Sequence, residues 1–166
     1  MSIRLFYDRW PQYNRRLRDT VATLSAEQLA LRPSEEHWPV WALVGHLAGT
    51  RVYWLCTILG EPGADTTPFT NPNGDGWEDD LDRPRSAAEL VAALDATYAI
   101  IDGVLDRWTT DDLSRTVERR YVDQVQVHSR TSILQRLLTH DAYHVGEIAQ
   151  ILGQHDIEPP YIWRAD

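Results

Sequence analysis

The sequence predicts an all-α chain: a four-helix bundle with long connecting loops, formed as a single domain over residues 1–166. Three observations predict it. Four long segments repeat their apolar residues every three or four positions. Ser25 with Gln28, and Ser86 with Glu89, are capping boxes of the kind that open helices. Gly60 and Gly153 stand where two of the periodic segments stop.

The first helix is expected over 2–24, carried by Leu5, Tyr13, Leu17, Val21 and Leu24. Pro11 interrupts this pattern, so either a kink or a late start belongs there. The box at Ser25 opens a short turn, SAEQLAL, and Arg32 to Trp38 connects it onward. Pro39 suits a first helical position, and a long helix follows over 39–59. Residues 61–85 are rich in Pro, Gly, Asn and Asp and read as a loop. It either lies over a pocket mouth, with Phe69 or Trp77 as apolar contacts, or is a surface excursion. The third long helix is expected over 86–108 on Leu90, Leu94, Tyr98, Ile101 and Leu105. Thr116 to His128 alternates weakly and is a short extended segment or an irregular loop. The last helix is expected over 130–153, and prolines extend the tail HDIEPPYIW.

Composition narrows the functional classes. The seven Trp and seven Tyr supply ample core material and argue against disorder. A net charge of −9 disfavours unspecific association with nucleic acid or anionic membranes. No run approaches the ~18 apolar residues of a membrane span, and MSIRLFYDRW has no apolar signal core. The expectation is a cytoplasmic protein. Its one cysteine, Cys56, permits no internal disulfide and reads as a small core residue, not a nucleophile.

Three histidines carry most of the chemistry. His140 and His144 lie one turn apart on the last helix, within about 60° of the line through Ile133, Leu137, Ile148 and Ile151. Both rings thus occupy core positions. Burying an unpaired polar ring costs roughly 1–3 kcal/mol, and a bound metal ion would meet both costs together, imidazole being a common ligand. His46 has the same inward setting on the second helix, sharing a face with Leu43, Thr50, Tyr53 and Thr57. Three imidazoles leave coordination positions open, as in catalytic rather than structural sites. Zinc, nickel and iron all suit such a donor set. The run H-D-A-Y-H approaches the H-E-x-x-H of zinc peptidases, but Asp141 is shorter than the glutamate base, and no third ligand follows.

Neighbouring residues are weaker candidates. Gly45, Gly49 and Gly146 beside the histidines indicate close helix approach, room for a ligand or ordinary tight packing. Tyr53 and Thr50 are placed to hydrogen-bond a metal-bound ligand. Arg136, one turn before His140, either pairs with a substrate carboxylate or is solvated at the rim. Tyr143 and Asp141 support the site from outside or stand at the surface. His37, His128 and His155 fall in connectors or the tail; His128 is the most plausible spare ligand.

The inward His of ALVGHLAGTRVYW, together with H-x-x-x-H-x-G-E-I on the last helix, resembles the DinB/YfiT-like superfamily of metal-dependent four-helix-bundle proteins. The likeness runs from the first helix to the PPYIW tail; the last-helix motif is its specific part. It implies a divalent metal, commonly zinc or nickel, on His46, His140 and His144. Glu147 departs from the family's usual Gln and alters the charge near that site. Relatives include a mycothiol-dependent maleylpyruvate isomerase and bacillithiol transferases, and relatives often form dimers. The resemblance therefore implies a thiol-dependent S-transferase or isomerase, with a low-molecular-weight thiol as cosubstrate and a small electrophile as substrate. Two other readings stay open: a metal-dependent hydrolase, and a non-catalytic metal- or ligand-binding stress-response protein. Tyr53 and Arg136 are the candidate catalytic groups.

Overall fold

The computed structural model describes residues 1–70 and 76–162. Residues 71–75 of the expected loop, and Trp163 of the tail, lie outside them. The described chain is mostly helical. Its long helices are α1 (Trp10–Thr23), α3 (Val40–Val52, continuing as a π-helical segment Tyr53–Ile58), α4 (Ala87–Arg107) and α5 (Arg130–Gly153). A short α2 (Ala26–Leu29) follows the first of them.

The first helix begins later than its periodicity suggested. Pro11 takes a position in its first turn, where its missing N–H removes nothing. The residues before it run beside the end of α4 instead: Ser2 bridges Thr109, and Thr110 N–H donates to the Met1 carbonyl at 3.1 Å. Arg4 ties this segment to Asp102 and Asp106. Both capping boxes form, at Ser25–Gln28 and Ser86–Glu89. Pro39, the expected first helical residue, is instead the N-cap, and α3 starts one position later at Val40. Beyond the π segment, Gly60 adopts φ +73, a left-handed turn that glycine enters without strain.

The all-α expectation is amended by a β-hairpin. Strands β1 (Thr116–Tyr121) and β2 (Gln124–Ser129) pair antiparallel with Thr116 opposite Ser129 and Tyr121 opposite Gln124. Of the two alternatives for this stretch, the extended one holds. The signal was weak because the turn lacks the usual Asn-Gly or Asp-Gly; Val122 itself takes φ 53, a strained state for a β-branched residue. Exposed side chains on both strands, charged ones on β1, further blur the alternation.

Helix α3 packs on α4 and α5, and α4 on α1. The buried apolar residues fall into two clusters. Leu17, Leu47, Leu94 and Val145 belong to one, and Trp10, Leu55, Ile101 and Leu137 to the other. Between them each long helix contributes a buried polar side chain: Asn14, Arg51, Thr97 and Asp141. Arg51 is 1% exposed, and its Nη2 meets Asp141 Oδ2 at 2.8 Å. Its Nη1 donates to Asn14 Oδ1 (2.8 Å) and the Trp10 indole donates to Asp141 Oδ2 (2.9 Å). Asp141 is therefore a buried, ion-paired residue, which excludes the surface alternative. It fixes α5 one residue from His140.

Candidate metal centre

His46 comes from the middle of α3, and His140 and His144 from successive turns of α5. Packing of α3 on α5 turns their Nε2 atoms toward one another. The Nε2 of His46 lies 2.9 Å from that of His140, and the Nε2 of His144 lies 3.2 Å from it. Among the described residues these three histidines form the group whose ligand atoms all fall within 4.8 Å of one another.

The outward nitrogens decide the protonation. His46 Nδ1 donates to Glu78 Oε1 at 2.8 Å, and His144 Nδ1 donates to Glu147 Oε2. A neutral ring that donates from Nδ1 carries a bare lone pair on Nε2. Two such lone pairs therefore face His140, whose single proton can satisfy only one of them. Its Nδ1 is buried with no hydrogen-bond partner among the described residues. A cation between the three Nε2 atoms satisfies all three at once, and carboxylates holding the far side of ligating histidines are the usual support of such an ion. The residues present fit a divalent metal.

Burial pushes the His140 pKa down to about 3, with the other positive charges nearby adding to the effect. Burial also lowers His144, against the opposing pull of Glu147. Neutral rings are the form that binds metal. The metal-free protein should accordingly lose stability as pH falls from about 6.5, where the unfolded histidine titrates, toward about 3. In that window the unfolded chain binds more protons than the folded one, so stability rises with pH. Urea titrations at pH 7 and pH 4.5 check the sign, and His140→Leu should flatten the dependence.

A cavity of about 220 Å³ opens beside the histidines, lined in part by His46, Thr50, Tyr53, Trp54, Phe69 and Glu78. Phe69, Gly76 and Glu78, all from the expected loop, line this cavity. A Cβ on Gly45 would meet Trp77 Cβ at 3.1 Å, and one on Gly49 would meet the Phe69 ring at 3.4 Å. These glycines thus admit the aromatic side chains of the loop, not a neighbouring helix, while Gly146 has open space where its Cβ would be. The same close approach brings Glu78 to His46.

The sequence model of the DinB superfamily matches residues 12–148. The chain belongs to the DinB superfamily. Two solved structures share the fold. A DinB-like protein from Bacillus cereus ATCC 10987 superposes with a TM-score of 0.70 at 18% identity, covering 96% of each chain. A conserved protein from Enterococcus faecalis gives 0.58 at 16% identity, over 92% of this chain and 99% of that one. No curated protein matches.

The remaining candidates in this DinB protein separate cleanly. Thr50 and Tyr53 line the cavity. Arg136 is exposed, with its guanidinium 4.9 Å from the Trp54 ring centre. Tyr143 is exposed at 65%, edge-on to His144. His37 bonds Ser34, His155 is exposed, and His128 packs edge-on against Trp54; none joins the three-histidine group. Cys56 is half-buried, and burial pushes its thiol pKa up, away from the reactive thiolate.

Glu78, Arg51 and Arg119 escaped the sequence reading. The acidic run WEDD offered several equivalent carboxylates and no periodicity to choose among them. Glu78→Gln keeps a hydrogen bond to His46 but removes the charge. It should lower metal affinity by about 10- to 100-fold, measured by competition with a chromogenic chelator.

Proposed function

We propose that this protein is a divalent-metal-dependent enzyme, with zinc or nickel held by His46, His140 and His144 on a four-helix-bundle scaffold. The observation that carries this reading is the convergence of three Nε2 atoms, two of them stripped of protons by outward carboxylates, beside an open cavity. A bound divalent ion lowers the pKa of a thiol or water it holds, so that a nucleophile exists at neutral pH.

The nucleophile on this reading comes from outside the chain. Cys56 does not line the cavity, and its thiol is held protonated. A low-molecular-weight thiol supplies the sulfur, whose thiolate forms a C–S bond to a small electrophile as the leaving group departs with its electron pair. The cavity is small beside the ~300–1,000 Å³ of typical ligand pockets, which suits substrates of that size. Tyr53 and Thr50 are positioned to orient what enters, and the aromatic side chains of Phe69 and Trp54 limit water. Small molecules rather than nucleic acid or membrane are the partners, in keeping with a net charge of −9 and with no described helix long and apolar enough to cross a membrane. A cytoplasmic homodimer completes the reading.

Cobalt-substituted protein tests it. Addition of small thiols should produce a thiolate-to-metal charge-transfer band, and conjugation of a test electrophile should vanish on chelation yet survive Cys56→Ala. Full cobalt loading with no thiol band across a panel of cellular thiols would overturn the thiol assignment. Ester or amide hydrolysis by the same loaded protein would then identify a hydrolase.

A further inference from the structure

Next to Tyr53 and Trp54, which line the cavity, two arginines approach one indole ring. Arg119 projects from β1 over the end of α3: its Nε donates to the Tyr53 hydroxyl at 2.8 Å and its Nη1 to Gln126 Oε1 at 3.3 Å. Its guanidinium carbon sits 5.1 Å from the Trp54 ring centre. Arg136, from α5, approaches the same indole at 4.9 Å. Two like charges beside one ring repel, and each is expected to draw a counter-charge. Several other arginines find one: Arg51, Arg107 and Arg130 each lie within 4 Å of a carboxylate. Among the described residues neither Arg119 nor Arg136 has an acidic partner. The Arg136 guanidinium also donates no hydrogen bond to them, and the Nη2 of Arg119 has no acceptor there.

The local field registers on a neighbour. His128, edge-on to Trp54, has its pKa lowered by burial first and then by Arg136 and Arg119. In a chain of net charge −9 this is a confined positive region. Arg119 lies over three rings, Tyr53, Trp54 and Tyr121, and the first two also line the histidine cavity.

We infer that Arg119 and Arg136 form a carboxylate-binding subsite beside Tyr53 and Trp54, at the edge of the histidine cavity, so that a substrate or cosubstrate of this protein carries a carboxylate. This rests on the reading that the cavity admits the substrate. Arginine suits a planar carboxylate because its N–H fork matches the two oxygens. Tyr53 and Gln126 hold the Arg119 plane in advance, which reduces the ordering cost of binding. Tyr53 is on this account a positioning residue, acting through Arg119.

Calorimetric titration of the chelator-stripped full chain with glutarate, its neutral diamide glutaramide and inorganic phosphate tests the subsite. Glutarate should bind more tightly than glutaramide or phosphate. Arg119→Gln and Arg136→Gln should each weaken glutarate about ten- to a hundredfold and leave glutaramide unchanged, a selectivity that a merely structural role would not move. Mass-spectrometric mapping of phenylglyoxal labelling on the unmutated protein adds a readout independent of folding: glutarate should protect Arg119 and Arg136. His144→Ala should retain glutarate binding, so failure of the metal assignment is distinguishable from failure of this one. Equal affinity for glutarate and glutaramide, equal affinity for phosphate, or unprotected arginines would overturn the inference.

Discussion

Replacing His144 with alanine is expected to reduce divalent-metal affinity by more than a hundredfold, so that dialysed protein no longer carries a full equivalent. Loss of an outer carboxylate that merely orients a ligand costs 10–100-fold; loss of a donor nitrogen should exceed it. The ring faces His140 and His46, with a side chain 12% exposed, and alanine favours the helix. Helical content should therefore be unchanged. Elemental analysis beside far-UV circular dichroism separates the two effects. A variant that keeps full metal occupancy would mean that His144 is not a ligand.

The largest stability effect should come from Arg51→Ala. The guanidinium lies between two apolar clusters and pairs with Asp141, itself bonded by the Trp10 indole. Removing one partner leaves a buried carboxylate without its counter-charge, a loss of about 3–5 kcal/mol. At roughly 2–4 °C per kcal/mol for a chain of this size, the melting temperature should fall by about 6–20 °C. The double variant Arg51→Met/Asp141→Leu discriminates the cause, because it leaves no orphan charge. It should be more stable than Arg51→Ala. If both variants melt alike, packing volume and not charge pairing governs this layer. Asp141 adjoins His140, so the single variant should also weaken metal binding by loosening α5.

Legibility followed the range of the interactions. Capping boxes, helical periodicity and the i,i+4 spacing of His140 and His144 are written within a few residues, and each appeared where expected. At Pro11 the late start, one of the two outcomes the sequence allowed, is the one that holds. The sequence could not choose it because Leu5 continues an apolar period, while the docking of Ser2 against Thr109 spans most of the chain. The hairpin was half legible: alternation was present, but its turn uses Val122 in a conformation that no local rule assigns to valine.

By itself the sequence determined a mostly helical chain, the inward face of α5 and the candidacy of three histidines, because a 3.6-residue period fixes which side chains share a face. Only the tertiary structure decided that His46 meets His140 across two helices, that Glu78 and Glu147 set the tautomers, and that Arg51 answers Asp141. It alone placed Arg119 over Tyr53 and Trp54. Each of these long-range pairings joins residues tens of positions apart, apart from the local His144–Glu147 bond. Their closeness depends on how helices pack and how a loop closes over two glycines, and neither leaves a periodic trace in the chain.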